Sequence, residues 1–139
     1  MSGEPKTIVG SCGCGAVCLD AQADARRIVN CHCNLCRKMN GSAFSSYVVI
    51  PHKSLSILGR EHLATYEIKP GAQKHYCSKC GTPLFNMSSR YPGACMLYLG
   101  VLEPVPTSAP SLNVYCDDML DWAERIGSFE KLRTGADGK

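Results

Sequence analysis

The segment Cys31-His32-Cys33-Asn34-Leu35-Cys36 places three cysteines within six residues, in two different spacings. Cys31 and Cys33 are two residues apart, so on an extended backbone their side chains point to the same face. Cys33 and Cys36 are three residues apart, which is the spacing of a tight turn that brings two sulfurs onto one ion. A disulfide inside this triplet would close a short, strained loop, whereas zinc accepts all three thiolates at about 2.3 Å each. The triplet therefore predicts a zinc site.

The coordination number of zinc leaves this site incomplete. Zinc prefers four ligands, and three protein ligands with one open position are typical of a catalytic or substrate-binding zinc. The alternative is that a distant side chain, such as Cys95, Cys116 or a histidine, fills the fourth position. The spacing of the triplet alone leaves both interpretations open.

Two further cysteine pairs complete the set of candidate ligands. Cys12 and Cys14 lie in the segment Ser11-Cys12-Gly13-Cys14-Gly15, and the second pair forms the CxxC motif Cys77-Ser78-Lys79-Cys80. Gly81 follows the CxxC motif and accepts the positive φ that a zinc-binding turn requires. Both segments therefore have the local sequence expected of a turn around a metal ion.

Seven cysteines must be divided between sites that take four. Joining Cys12 and Cys14 to Cys77 and Cys80 gives a closed structural zinc and leaves the triplet as an open site. A rival partition joins Cys33 and Cys36 to the CxxC motif as a zinc ribbon, which leaves the other three cysteines without a purpose. The two CxC pairs favour the first partition, because a ribbon does not use them.

Composition narrows the class of protein. The 139 residues predict one domain over residues 1–139 with a sizeable core, and we expect the Gly-rich tail from Thr134 to be mobile. A net charge of +3 spread over short clusters does not indicate nucleic acid binding. No stretch approaches the roughly 20 apolar residues of a membrane span, and Met1 to Lys6 carry no apolar signal segment. The ten cysteines therefore favour bound zinc in a reducing cytoplasm over disulfides in an oxidising compartment.

Apolar and β-branched runs predict a mainly β chain with little helix. Gly41 is expected to end a short helical turn over residues 35–40, and a second short helix is predicted over 117–126 with Leu120 and Trp122 inward. Phe44 and Tyr47 are expected to pack beneath the open site, and Cys18 to be an inert core thiol. The predicted strands cover residues 7–10, 16–20, 26–30, 44–50, 55–58, 63–68, 74–76, 82–85, 95–101 and 112–116.

The order GSCGCGAV, CHCNLCRKMNGSAF and YCSKCGTPLF resembles the glutathione-dependent formaldehyde-activating (GFA) family. The resemblance implies small coiled β-sheets around zinc sites, a fold shared with methionine-R-sulfoxide reductases and with Rab-binding accessory proteins. It further implies two zinc ions per chain. The structural zinc would be held by Cys12, Cys14, Cys77 and Cys80, and the catalytic zinc by Cys31, Cys33 and Cys36.

The activity implied by the resemblance is the condensation of glutathione with formaldehyde to S-hydroxymethylglutathione, a carbon–sulfur lyase reaction run in reverse. Because large families of this kind usually diverge in substrate, another thiol–carbonyl adduct is the alternative substrate. Three thiolates bring the zinc to a net charge of −1, and we expect Arg37 and Lys38 to offset this charge and to meet the two carboxylates of glutathione. His32 lies between two ligands, so we expect its ring to point away from the sulfurs and to support the structure.

Two other functions are compatible with the residues. The first is a non-enzymatic zinc module that binds or carries glutathione, since glutathione and formaldehyde also react without an enzyme. The second is methionine sulfoxide reduction, for which Cys116 would be the reactive thiol. The segment Val114-Tyr115-Cys116-Asp117 lacks the Arg-x-Cys-x-Asn pattern of that enzyme family.

Overall fold

The structure, a computed structural model, describes residues 7–139 and is built from ten strands and one α-helix in that range. The helix α1 spans Asn34–Asn40. The strands are β1 Thr7–Ser11, β2 Cys18–Gln22, β3 Ile28–Cys31, β4 Ser45–Pro51, β5 Leu55–Leu58, β6 Leu63–Lys69, β7 Ala72–Cys77, β8 Pro83–Ser88, β9 Ala94–Tyr98 and β10 Leu112–Val114. Short 3-10 helices span His52–Ser54, Arg60–His62, Leu99–Val101, Cys116–Asp118 and Asp121–Ser128. The mainly β class predicted from the sequence is therefore confirmed.

The strands form two sheets of unequal size. The small sheet has the order β1-β2-β5, and the large sheet has the order β10-β3-β4-β9-β8-β7-β6. All pairings are antiparallel except that of β10 with β3, which is parallel and places Val114 beside Cys31. The last strand therefore returns from the C-terminal third of the chain to the cysteine triplet.

The main core lies between the two sheets. Ile8, Leu19 and Ala21 from the small sheet belong to one buried cluster with side chains from the large sheet, including Val48 and Leu97. Because side chains alternate along a strand, the neighbours of these residues, Tyr47 and Tyr98, lie on the other face of the large sheet. These two tyrosines form a second buried cluster with Cys31. Helix α1 contacts strand β4 beside this cluster.

Helix α1 begins and ends as its sequence dictates. Cys33 is the N-cap, and its sulfur accepts a hydrogen bond from the backbone N–H of Cys36 at 3.2 Å. Gly41 has φ +63° and donates its backbone N–H to the carbonyl of Arg37, which is the usual left-handed glycine end of a helix. The prediction of a short helix over residues 35–40 is thus confirmed.

The C-terminal third differs from the sequence prediction in two ways. The strand predicted over residues 112–116 ends at Val114, because Tyr115 adopts a left-handed conformation with φ +59° and a 3-10 turn follows. The prediction that Trp122 points inward is wrong, since 39% of the side chain is exposed on a 3-10 helix without buried residues. Trp122 instead contacts Phe129, at 6.1 Å between ring centroids.

Cys18 is also less buried than expected. It begins β2 with an intermediate exposure, and its sulfur lies 3.7 Å from the carbonyl oxygen of Gly15. Cys18 is therefore only partly buried and not a core thiol as predicted. The neighbouring residue Leu19 faces the space between the sheets instead.

Candidate metal centres

Four cysteine sulfurs from distant parts of the chain meet beside the small sheet. Cys12 and Cys14 follow β1, and Cys77 and Cys80 lie at the turn between β7 and β8. All four sulfurs lie within 4.8 Å of one another. The sulfur of Cys14 is 3.7 Å from that of Cys12 and 3.8 Å from that of Cys77. Zinc–sulfur bonds of about 2.3 Å in a tetrahedron give sulfur–sulfur separations of about 3.8 Å, so the four-cysteine cluster fits a zinc ion.

Backbone and hydroxyl groups surround these sulfurs as they do around thiolates. The backbone N–H groups of Val17 and Lys79 donate to the sulfurs of Cys12 and Cys77, at 3.2 and 3.4 Å. The hydroxyl of Thr82 lies 3.0 Å from the sulfur of Cys80, and this contact lowers the pKa of the Cys80 thiol to about 5. Donors directed at sulfur favour the deprotonated form, which is the form that binds metal.

The second cluster is built on one short segment. Cys31 ends β3, Cys33 caps α1, and Cys36 lies in the first turn of the helix. The sulfur of Cys31 is 3.5 Å from both other sulfurs, and the three lie within 4.8 Å of one another. These separations also fit sulfurs on one tetrahedral ion. The four-plus-three grouping is therefore the one found in the structure, and the zinc-ribbon grouping is not.

The three-cysteine cluster has no fourth protein ligand in the part of the chain that the structure describes. No histidine, cysteine or carboxylate from residues 7–139 joins the group of three sulfurs. Cys95 is fully buried in the main core on the other side of the large sheet, and Cys116 is exposed after β10. Neither of the two cysteines considered as a fourth ligand is thus in place.

A tyrosine hydroxyl contacts this cluster from the sheet below it. The hydroxyl of Tyr47 donates to the sulfur of Cys36 at 3.3 Å, and its ring packs against Tyr98 with centroids 4.9 Å apart. The contact with Cys31 and then the bond from Tyr47 lower the pKa of Cys36 to about 6, while the pKa of Cys31 is raised. The expected position of Tyr47 beneath the cluster is found. The hydrogen bond from its hydroxyl to the sulfur of Cys36 was not predicted from the sequence.

A buried network continues from Tyr47 along the same face of the large sheet. The side-chain N–H of Asn86 donates to the Tyr47 hydroxyl at 3.3 Å. The hydroxyl of Tyr98 lies 3.1 Å from the Asn86 carbonyl oxygen and 3.0 Å from that of Asn40, at the end of α1. Asn40 in turn donates to the hydroxyl of Ser45. These side chains therefore connect the cluster to the last turn of the helix.

Lys74 lies at the far end of this network and was not identified from the sequence. Its ammonium group donates to the backbone carbonyl of Met39 at 2.8 Å and to Asn40 Oδ1 at 2.9 Å. Burial lowers the pKa of Lys74, and the negative charge of Cys36 acts in the opposite direction. The alternation of side chains along β7 could have indicated its burial, because Lys74 lies two residues after Ala72 and points to the same buried face.

His32 faces away from the sulfurs, as its position between two ligands predicts. Its Nε2 lies 3.0 Å from Asn113 Oδ1 on β10, and its ring lies 4.9 Å from that of Phe44. The ring is buried, and Nδ1 is the one buried side-chain polar atom without a hydrogen-bond partner in residues 7–139. Because Asn113 Oδ1 is an acceptor, Nε2 is the donor in this contact. His32 therefore links β10 to the cysteine segment.

Arg37 and Lys38 occupy different environments. The guanidinium group of Arg37 donates to the backbone carbonyls of His32 and Asp118, at 3.2 and 3.0 Å, and also contacts Asn34 Oδ1. Lys38 is exposed on α1. Three of the five N–H donors of Arg37 are thus directed at protein oxygens, which fix the C-terminal segment against the helix.

An exposed aromatic and basic group flanks the cluster after β10. Arg90, in the turn between β8 and β9, donates to the hydroxyl of Tyr115 at 2.7 Å, and its guanidinium lies 5.6 Å from the ring centroid of Tyr91. Burial raises the pKa of Tyr115, and Cys31 contributes electrostatically in the same direction. The left-handed residue Tyr115 directly follows Val114, which pairs with Cys31, so Tyr115 lies near the cluster.

The described residues include no helix with the length and apolar character that crossing a membrane requires.

Comparisons with known proteins identify the family of this chain. Residues 7–118 match the model of a family described as glutathione-dependent formaldehyde-activating enzyme. A Schizosaccharomyces pombe protein named as an uncharacterised lyase is 30% identical over 76 residues, which are 55% of this chain and 54% of that protein. The match thus spans about half the length of that curated relative.

A solved structure resembles the fold. The crystal structure of a Rhodobacter sphaeroides protein superposes with a TM-score of 0.60 over 71% of this chain and 91% of that chain, at 22% identity. At this identity the likeness concerns the fold alone. The family match covers most of the chain, including both cysteine clusters, and the chain therefore belongs to the glutathione-dependent formaldehyde-activating enzyme family.

Proposed function

We propose that this protein is a zinc-dependent carbon–sulfur lyase-type enzyme that acts on the adduct of glutathione, or a related thiol, with formaldehyde or another small aldehyde. The observation that supports it is the cluster of Cys31, Cys33 and Cys36, whose sulfurs lack a fourth protein ligand in residues 7–139. Family membership supplies the class of reaction.

The two clusters have different tasks in this proposal. Cys12, Cys14, Cys77 and Cys80 hold a structural zinc that joins the loop after β1 to the turn after β7. Cys31, Cys33 and Cys36 hold a second zinc with an open position. Zinc bound there would supply the positive charge that deprotonates an incoming thiol at neutral pH.

The reaction adds a thiol across a carbonyl. A bond forms between the thiol sulfur and the aldehyde carbon, the carbonyl π bond breaks, and the thiol proton ends on the former carbonyl oxygen. The reverse reaction cleaves the same carbon–sulfur bond. The three cysteines would hold the metal that binds the reacting sulfur, and holding two reactants together is itself a large part of the rate gain.

Tyr47 and the surrounding network keep the site in one arrangement. The Tyr47 hydroxyl fixes the sulfur of Cys36, and Asn86 fixes the hydroxyl. Tyr47, Asn86 and Tyr98 are all buried, so the floor of the site excludes water. A dry floor strengthens the electrostatic interactions of a charged sulfur above it.

The proposal is tested with the metal-loaded protein in two measurements. Calorimetric titration with glutathione reports binding, and exchange spectroscopy on a glutathione–formaldehyde mixture reports the rate of adduct formation and cleavage. We expect saturable binding and an exchange rate well above that of buffer. Binding without acceleration would favour the non-enzymatic carrier instead, and the absence of both would exclude glutathione as the ligand.

A further inference from the structure

A cavity of about 320 Å³ lies between the end of α1 and the hairpin of β6 and β7. Its lining residues are Met39, Tyr66, Lys74, Tyr76 and Gly81. Tyr66 and Lys74 are direct partners in the β6–β7 ladder, and Tyr76 follows on the same face two residues later. The cavity therefore combines one ammonium group with two tyrosine rings, and no carboxylate residue lines it.

Within the described residues, the ammonium group of Lys74 lacks a carboxylate partner, and the Cys36 thiolate is the negative group that acts on it. The side chain is only 9% exposed, and no carboxylate from residues 7–139 forms an ion pair with it. Its two acceptors, the carbonyl of Met39 and the amide oxygen of Asn40, are both neutral. An ammonium group has three donors, so one donor remains for a further acceptor. Buried ammonium groups in proteins are ordinarily paired with an anion, so the free donor of Lys74 suits a ligand carboxylate.

The cavity is near the three-cysteine cluster. Met39 and Asn40, which bind Lys74, follow Cys36 by three and four residues on the same helix. At a rise of about 1.5 Å per residue, Lys74 is held about one helical turn, roughly 5 Å, further along the axis. Two residues of extended peptide span about 7 Å, which exceeds this separation along the helix axis.

We propose that this cavity binds a carboxylate of the thiol substrate, with Lys74 as the anion-binding residue, while the substrate sulfur lies at the Cys31, Cys33 and Cys36 site. This inference rests on the proposed function and adds the residue that binds one carboxylate of the thiol substrate. It also places the carboxylate contact on the floor of the sheet rather than on Arg37, whose guanidinium already binds protein carbonyls.

The first test changes the ligand and leaves the protein intact. Calorimetric titration of the metal-loaded protein compares glutathione with glutathione diethyl ester, in which both carboxylates are neutral. We expect the ester to bind at least tenfold more weakly, which corresponds to about 1.4 kcal/mol. Equal affinities would overturn the carboxylate site and leave the proposed function intact. Absence of binding by both ligands would overturn the inference together with the proposed function.

The second test assigns the effect to Lys74. In Lys74→Met, the affinity for glutathione should fall about tenfold, and the affinity for the diethyl ester should stay unchanged. Lys53→Met is the matched control, because Lys53 is exposed in the 3-10 helix His52–Ser54, and it should bind both ligands as the wild type does. Equal losses for acid and ester in Lys74→Met would show that Lys74 only supports α1. Should that variant fail to fold, Lys74→Gln retains a neutral donor and must show the same selective loss.

Discussion

The hydroxyl of Tyr47 donates a hydrogen bond to the sulfur of Cys36 across 3.3 Å, from the floor of the large sheet to the first turn of α1. Tyr47 is 5% exposed, so this bond is shielded from solvent. A hydrogen bond to the charged form of a group favours that form, and Tyr47 is one of the contacts that lower the pKa of Cys36 to about 6.

Replacing Tyr47 by Phe should therefore raise the pKa of Cys36 in the reduced, metal-free protein. Thiolate is the reactive form, so alkylation of Cys36 by iodoacetamide should require a higher pH in the variant than in the wild type. The measurement is the alkylation rate of the Cys36 peptide against pH, followed by mass spectrometry. Tyr98→Phe is the control, because Tyr98 belongs to the same network and has no hydrogen bond to sulfur. Equal shifts in both variants would contradict a specific effect of the Tyr47 hydroxyl.

The two clusters should respond differently to the loss of one sulfur. Cys77→Ser should reduce the bound zinc from two to one per chain and lower the free energy of unfolding by more than about 3 kcal/mol, because a structural site contributes to folding directly. Cys36→Ser should also lose one zinc, with a smaller effect on folding, since all three ligands come from one short segment. Elemental analysis and chemical denaturation measure both quantities. Cys116→Ser is the control, as this exposed thiol belongs to neither cluster. Severe unfolding of Cys36→Ser with a tolerated Cys77→Ser would reverse the assignment.

Gly59 should be intolerant of any side chain. It has φ +82°, and a Cβ atom there would lie 1.9 Å from the carbonyl oxygen of Ala16. Gly59→Ala should therefore lower the free energy of unfolding by at least about 2 kcal/mol, from the left-handed conformation and the displaced backbone together. Gly100→Ala is the matched control, because no atom lies within 4 Å of its added Cβ and its φ is not left-handed. Denaturant titration compares the two, and equal stability would contradict the close approach of residues 16 and 59.

Substitutions of Arg37 and Lys38 should differ in their effect on the free energy of unfolding. Arg37→Gln removes bonds to the carbonyls of His32 and Asp118, which should cost about 1–3 kcal/mol of unfolding free energy. Lys38→Gln should change stability by less than about 0.5 kcal/mol, because Lys38 is exposed. Calorimetric unfolding reports both variants. If Arg37→Gln is as stable as Lys38→Gln, the contact between α1 and residue 118 is not important for stability.

Much of this architecture could be predicted because the decisive information is local. The spacing of Cys12 and Cys14, and of Cys77 and Cys80, specifies turns that offer two sulfurs each. The four-plus-three partition is the one that leaves no cysteine of the seven without a site. Strand β5 occupies the predicted residues 55–58, since its short apolar run is bounded by turn residues. The left-handed Gly41 similarly ends α1 where its sequence indicates.

The network below the cluster could not be predicted in the same way. Tyr47, Asn86 and Tyr98 lie on three different strands, and Lys74 lies on a fourth. Their contact depends on the register of the large sheet, for which no short motif exists. The inward orientation predicted for Trp122 was wrong for a related reason. An aromatic residue in a short amphipathic segment does not indicate whether the rest of the fold offers a surface against which it can pack.

The parallel pairing of β10 with β3 places part of the surface beside the cluster on a chain segment that contains none of its sulfurs. Strand β10 has only three residues, lies at the edge of the large sheet, and brings Tyr115 near Cys31 without supplying a ligand. A substitution in this edge strand can therefore reshape the surface beside the cluster without removing any of its three sulfurs.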